Sequence, residues 1–430
     1  MLTSKAWKAA NSQNNREIRK NWGTAMRHLW AIITLTFCAA VLSLPSRAAV
    51  DHTKILIDST TNLTTADWHV SSAEWGGVAW RVALRTLHGG RQEGVQVIDV
   101  DNGAMSFMIV PTRGFEVWKA NVGKLRLGWD APVKEIIHPS YIRLSDDGGA
   151  GWRSGFGGLM VRGGLASFGS PTQDQDQQLT LHGHVDYLPA SRVSVRYEAA
   201  PFPRLIFRGV VDDFQTFGPQ LELVSEISTT IGKPEIVFDD EVTNMSDTPQ
   251  DMELLYHTNF GTPLLGAGAQ FLAPVKQVAP MNPLSAAGGL ADWNRYSGPH
   301  GPGYAAKVFN MQLYADAAGL TKAMLKAPDG QDGVLITFDT HGLPYMSLWK
   351  NEVTAKSGYV TGLEPGTGFP NARPVERAAG RVPRLKGGQS YHVHLAIEGL
   401  TDKTQVAAAE KAIQALAKTP PVLQKKPTGP

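Results

Sequence analysis

Three short segments set ionisable side chains beside glycine or aromatic residues. They are Thr180-Leu181-His182-Gly183-His184, Leu255-Tyr256-His257-Thr258-Asn259-Phe260-Gly261 and Gly362-Leu363-Glu364-Pro365-Gly366. Imidazole and carboxylate are the common groups of general acid–base catalysis. A carboxylate with an ordinary pKa of about 4.3 is ionised at neutral pH, and an imidazole near about 6.5 needs only a small upward shift to act as an acid there. Each segment is expected where a β-like run gives way to turn residues, and such edges of a rigid sheet are where active sites gather. Taken singly, a histidine in an apolar strand fits a satisfied core residue and a glutamate before proline fits a solvated turn. The chemistry needs them together.

Other constellations carry less. His182-x-His184 and His392-x-His394 would each put two imidazoles on one face of a strand, but a metal site wants at least a third ligand and none is evident. The glycine-rich stretch from Gly148 to Gly169 has neither GxxxxGK[ST] nor a strand-to-helix GxGxxG context, so it reads as loops packing on a sheet. No GxSxG elbow supports a serine hydrolase. The single cysteine, Cys38, lies in an N-terminal apolar run, so the body of the chain has no thiol for disulfide, nucleophile or zinc.

The elements that must position these residues are strands. The chain has 430 residues, 42% hydrophobic and only 19% charged, and its 44 Gly and 27 Pro point to a turn-rich protein with a large core. From about Gly94 onward, runs rich in Val, Ile, Phe and Thr recur near every dozen residues with Gly, Pro, Asn or Asp between them. Met105–Val110, Phe115–Val122, Leu205–Phe214, Leu221–Thr230, Ile236–Val242, Met252–Tyr256, Val334–Phe338 and Tyr345–Trp349 are examples. This spacing predicts an all-β sandwich or barrel rather than βαβ units. Tyr391, Val393, Leu395 and Ile397 alternate with His392, His394 and Ala396, the period of a strand buried on one face. One long helix is expected over Asp402–Lys418, ended by Thr419-Pro420-Pro421 and followed by a disordered tail. Residues 262–303 read as a long loop. The division that follows is 1–48, a single large β domain over 49–400, and 401–430 for the helix and tail.

Residues 1–48 read as a signal peptide with an extended basic n-region. Met26-Arg27-His28 precedes an apolar run from Leu29 to Leu44, and Ser46-Arg47-Ala48 offers a cleavage point. Sixteen apolar residues fall short of the roughly 20 needed to span a bilayer. The expected mature product is therefore periplasmic or secreted, without stable membrane insertion. The segment carries seven Lys or Arg and one acid, which leaves the remainder of the chain at a net charge of −4. A body with that balance has no electrostatic footprint for nucleic acid.

In order and spacing, Leu181-His182-Gly183, Tyr256-His257 with Phe260, and Leu363-Glu364-Pro365 resemble the galactose mutarotase-like (aldose 1-epimerase) superfamily, in a divergent branch. Asp239-Asp240-Glu241-Val242-Thr243-Asn244 is also similar to that family's strand ending in a Thr-Asn turn. The resemblance spans roughly Val95 to Leu400. It implies a β-supersandwich that binds a free monosaccharide or small sugar in an open cleft and interconverts its anomers, with no metal or redox cofactor. It implies Glu364 as general base, ionised, and His257 as general acid, protonated. His182 would hold the sugar, Arg113 would be the family's early arginine, and Trp349 would offer an aromatic platform. The chain departs from the family where the usual HxYFNL reads His257-Thr258-Asn259-Phe260-Gly261, and no residue matches the sugar-binding aspartate. Two other classes stay open. One is a non-catalytic carbohydrate-binding protein; the other is a polysaccharide lyase or glycosidase, for which a second carboxylate is wanted.

Overall fold

Apolar residues at every second position require sheets with one face buried, and two large sheets supply it. The computed structural model describes residues 50–430, which form one compact unit. The signal-peptide reading of residues 1–48 falls outside the described residues. Ten strands make the first sheet, whose centre runs Gly333–Asp339, Ser390–Leu400, Glu235–Asn244, Gln220–Thr230, Arg204–Phe214. Thirteen make the second, whose centre runs Lys307–Leu313, Tyr345–Asn351, Val360–Gly366, Leu255–Phe260, Met160–Gly163, Glu116–Val122, Met105–Val110. Within these central runs neighbouring strands pair antiparallel. Phe207, Ile227, Phe238 and Leu395 from the first sheet share one core with Phe107, Ile109, Tyr256 and Leu363 from the second. Phe107 and Phe207 meet edge to face with ring centres 6.2 Å apart. The architecture is the all-β sandwich expected.

The differences lie where local signals are weak. The strand carrying His257 runs Leu255–Phe260, three residues later than the apolar run Met252–Tyr256 implies. Glu364 sits inside the strand Val360–Gly366, all of whose residues are buried, rather than at a strand–loop junction. The expected loop 262–303 contains the strands Gln270–Leu272 and Val275–Pro280, both held by partners distant in sequence. Before Gly94 the strands His52–Asp58, Trp68–Ser71 and Arg81–Thr86 extend the sheets.

At the C-terminus the helix spans Lys403–Leu416. Asp402 caps it, its Oδ1 accepting from the backbone N–H of Thr404 (2.7 Å) and Gln405 (2.9 Å). Val406, Ala409 and Ile413 pack it onto Met324 and Leu335. The tail beyond corrects the expectation of disorder. Val422–Leu423 pairs in parallel with Gln277–Val278, and the amides of Gln424, Thr428 and Gly429 donate to the carbonyls of Val278, Pro280 and Met281. Those main-chain bonds along an otherwise open sheet edge hold residues that local composition does not. Among the described residues no helix is long and apolar enough to cross a membrane.

Candidate active site

The strands Leu255–Phe260 and Val360–Gly366 pair with Leu255 opposite Gly366 and Thr258 opposite Leu363. That register sets His257 directly across from Glu364, both on the face turned away from the inter-sheet core, while Tyr256 and Leu363 turn into it. His257 Nε2 lies 3.3 Å from Glu364 Oε1. The pair is near enough to exchange a proton, but it is not aligned as a hydrogen bond, and neither His257 Nδ1 nor Glu364 Oε1 has a partner among the described residues. On the next strand Trp349 stands opposite Gly362. A Cβ at Gly362 would fall 2.2 Å from Glu364 Oε1, so the glycine clears the space that the carboxyl fills.

His182 reaches the same place from a turn. It adopts φ +57° and is followed by Gly183 at φ +71°. A Cβ on Gly183 would sit 2.2 Å from the Ser167 carbonyl oxygen, which explains the glycine in Leu181-His182-Gly183. His182 Nδ1 donates to the Phe168 carbonyl at 3.0 Å, which leaves Nε2 as the acceptor. The His182 and His257 rings meet edge to face, centres 5.3 Å apart.

His182, His257, Glu364 and Trp349 line one cavity of about 470 Å³. Its walls are aromatic: the Trp152 and Phe156 rings pack tilted with centres 4.6 Å apart, Trp152 meets the His182 edge (4.6 Å), and Trp349 stands 5.4 Å from His257. The buried indole N–H groups of Trp129 and Trp152 have no partner among the described residues. A groove of similar volume, about 490 Å³, at the far end of the same sheet is lined by the ion-paired Arg81 and Asp101 with Lys119 and Asn121. It lacks the juxtaposed acid and base.

Burial sets the protonation of the pair. With no cation beside it, Glu364 is pushed up to about 8 by desolvation. His257 is held well below the ordinary imidazole value, first by desolvation and then by neighbouring His182, and His182 itself falls to about 4 through burial. At neutral pH the site therefore holds a protonated Glu364 and a neutral His257. The ionised carboxylate and imidazolium expected from unperturbed values are reversed, because the cavity supplies neither group with a compensating partner charge.

Arg113 does not join them. It is fully buried behind the aromatic wall, its Nε 3.0 Å from Glu116 and its Nη2 3.3 Å from Asp186. Its Nη1 donates to the Gly155 carbonyl at 3.0 Å, and its guanidinium lies over the rings of Trp118 and Tyr187. Tyr187 in turn donates to the Trp152 carbonyl at 2.6 Å. Arg113 thus fixes the turn that carries Trp152 and Phe156 and has no surface for a sugar.

Those two aromatic residues are what sequence reasoning missed. The signal was the glycine-rich run itself. A Cβ at Gly157 would strike Trp118 at 2.6 Å, and one at Gly155 would strike the Tyr187 hydroxyl at 2.7 Å, so the glycines let the wall approach the sheet. Asn259 ties this run to the strand Leu255–Phe260, its Nδ2 donating to the carbonyls of Gly158 (3.0 Å) and His257 (2.9 Å). Of the two His-x-His pairs, His182 alone of the four histidines lines the cavity. His184 turns toward Asp213 (3.5 Å), and His392 and His394 face Glu241 and Asp239 on the ten-stranded sheet. Among the described residues no group of three or more His, Cys, Asp or Glu is arranged to hold a metal.

Comparison with known proteins agrees with this fold. The family model described as "Domain of unknown function (DUF4432)" matches residues 92–398. A solved structure from Klebsiella pneumoniae subsp. pneumoniae, described as a "putative aldose 1-epimerase", is 34% identical with a TM-score of 0.85, covering 88% of this chain and 99% of its own. A galactose mutarotase-like protein from Clostridium acetobutylicum is 12% identical with a TM-score of 0.51, covering 74% of this chain and 98% of its own, a likeness of fold alone. No curated protein sequence matches.

Proposed function

The chain belongs to the DUF4432 family, a divergent branch of the galactose mutarotase-like superfamily, and we propose that it is an aldose 1-epimerase-type isomerase that interconverts the anomers of a free sugar. The observation that carries this reading is the buried, unpartnered His257/Glu364 pair 3.3 Å apart at the floor of an aromatic cavity. Paired charges stabilise a fold; an uncompensated acid–base pair facing open space is the signature of a reacting site.

Mutarotation needs one base and one acid. The base takes the proton of the anomeric hydroxyl, the ring oxygen receives a proton from the acid, and the C1–O5 bond breaks to leave an open-chain aldehyde. Rotation about C1–C2 and the reverse proton transfers close the ring on the other face. The pair carries one proton in total, which serves either as Glu-COO⁻ with imidazolium or as Glu-COOH with neutral imidazole. We assign Glu364 as base and His257 as acid in the ion-pair form, reached by moving that proton across 3.3 Å once sugar hydroxyls are there to solvate the charges. His182 Nε2 is an acceptor for a sugar hydroxyl, and Trp349, Trp152 and Phe156 supply faces for its C–H groups. Further N–H donors on the cavity walls are the indoles of Trp129 and Trp152, the guanidinium of Arg153 and the amide of Asn351.

Among the described residues Glu364 is the single carboxylate lining the cavity, which disfavours a glycosidase that flanks its bond with two. The departure from the family pattern after His257 favours, as the second reading, a carbohydrate-binding protein without efficient chemistry. Anomer exchange followed by NMR across a panel of free aldoses separates the two. Exchange faster than in buffer, lost in Glu364→Gln, supports the isomerase; binding without exchange supports the second reading. We also propose export through cleavage near Ala48. N-terminal sequencing of exported material tests it, and an intact 1–48 segment in a membrane fraction refutes it.

A further inference from the structure

The end of the chain lies against the rim of the candidate site. Beyond the parallel pairing of Val422–Leu423 with Gln277–Val278, Thr428 N–H donates to Pro280 (3.0 Å) and Gly429 N–H to Met281 (2.9 Å). Met281 is a wall residue of the cavity. On its other side Gly429 abuts Asn371, where a Cβ would fall 2.3 Å from Asn371 Oδ1. The neighbour of Asn371 is Pro370, a wall residue whose carbonyl accepts from Ser170 Oγ at 3.0 Å. Residue 429 therefore bridges two parts of the rim that no strand pairing joins.

The same segment also reaches the floor. Asn310, 1% exposed, donates from Nδ2 to Thr428 Oγ1 at 2.7 Å, and its Oδ1 accepts from Ser347 Oγ at 2.8 Å. Asn310 stands opposite Ser347, and Ser347 opposite Glu364, in one row across three strands. Side chains in such a row share a face and crowd one another. Thr428 fixes Asn310, Asn310 fixes the Ser347 hydroxyl, and Ser347 is the cross-strand neighbour of the carboxyl.

We propose that residues 422–429 are a strap that completes the sugar site, with Thr428 and Gly429 as positioning residues. Gly429 holds the rim between Met281 and Asn371, and Thr428 acts through Asn310 and Ser347 on the placing of Glu364. The kinetic part of this proposal rests on the isomerase reading; the structural part does not.

The test uses the whole protein with Thr428→Val, Thr428→Ser and a deletion of residues 422–430, each checked for folding by thermal melting. Two readouts are taken. One is kcat and KM for anomer exchange. The other is the rate at which diethyl pyrocarbonate modifies His182 and His257, located by peptide mass mapping. Thr428→Val is expected to lower kcat/KM about threefold to tenfold, the effect of one buried hydrogen bond, and Thr428→Ser to restore it. The deletion is expected to raise KM further and to speed modification of both histidines at least several-fold. A deletion that melts lower but leaves KM, kcat and both modification rates at wild-type values overturns the proposal, because a merely structural tail would do that. If the wild type exchanges no aldose, the isomerase reading fails, and the modification rates alone then decide the strap.

Discussion

The strand Leu255–Phe260 buries ionisable groups on both faces and treats them in opposite ways. On the core face, Tyr256 donates its hydroxyl to Asp240, and Arg162 meets the same carboxylate through Nε (2.6 Å) and Nη2 (3.2 Å). The rest of the guanidinium donates to Ser225 and to the carbonyls of Gly114 and Phe115. Every charge there has its counterpart, and Arg162 stays ionised, with Asp240 raising its pKa against the desolvation that lowers it. One residue along, His257 and Glu364 are as deeply buried and have no compensating partner. Burying a charge costs several kcal/mol unless it is paired, so the core face is built for the fold. The cavity face leaves both groups uncompensated and available to a ligand.

The largest effect should come from the cavity face. Glu364→Gln keeps the shape of the side chain and removes its acid–base function; His257→Asn does the same for the imidazole. Each is expected to lower kcat for anomer exchange by about 10²–10⁴-fold, with sugar binding by calorimetry largely kept. His182→Asn should weaken binding as well. The pair titrates as a unit, so kcat/KM should fall above about pH 8, where Glu364 loses the shared proton. Full activity in Glu364→Gln would break the comparison at its functional end.

On the core face the expected loss is of stability. Arg162→Met strands Asp240 and should destabilise the protein by about 3–5 kcal/mol in denaturant unfolding. The double replacement Arg162→Met with Asp240→Leu should recover much of that loss, because it removes both charges together. If Arg162→Met left stability unchanged but abolished exchange, the assignment of the two faces would be reversed.

How much of this was legible in the sequence follows from the same contrast. The sheets were, because strands such as Arg192–Glu198 and Ser390–Leu400 alternate by residue type and need no partner to be recognised. His182, His257 and Glu364 were nominated by motif, and they meet in one cavity although no local pattern encodes that meeting. Their setting was misjudged: Val360–Gly366 contains two glycines and a proline, poor strand formers, and owes its place to Tyr345–Asn351 and Leu255–Phe260 on either side. Arg113 was misplaced for a related reason. An arginine near a turn looks free to meet a ligand, and only the fold brings Glu116, Asp186 and Tyr187 around it. Protonation was the least legible property, since desolvation is a property of the assembled site.

The uncompensated pair should also show in how stability depends on pH. Glu364 has a pKa near 8 folded against 4.5 unperturbed. Between those values the folded state keeps a proton that the unfolded state has lost, so the stabilisation present below the lower value is lost as pH rises through the upper one. Glutamine has no such loss. From pH 6.5 to 9 the wild type should lose on the order of 2 kcal/mol more than Glu364→Gln, read from melting curves. His257, with its depressed pKa, acts in the opposite direction and at lower pH: its contribution is present above about 6.5 and lost on acidification. A variant that is less active and more stable in alkali would mark Glu364 as held against the preference of the fold.

The smallest effect is expected where ionisable groups are exposed and paired. Asp239 and His394 face each other across two strands of the ten-stranded sheet, Nδ1 to Oδ1 2.6 Å, with side chains 55% and 43% exposed. The hydrogen bond to Asp239 raises the histidine pKa, so the pair stabilises below about pH 6.5 and the gain disappears as pH rises through the raised value. Exposure and salt reduce it, and pairs of this kind contribute about 1 kcal/mol or less. His394→Ala should therefore shift unfolding by no more than about that amount at pH 5.5 in low salt, and by nothing measurable at pH 8.5. Exchange activity should be untouched. The same variant decides the metal reading of His392-x-His394, since a site built on those imidazoles would give the wild type a stabilisation by added zinc that His394→Ala lacks. Zinc-independent melting of both proteins leaves these histidines as ordinary cross-strand partners, paired and exposed where the pair in the cavity is buried and uncompensated.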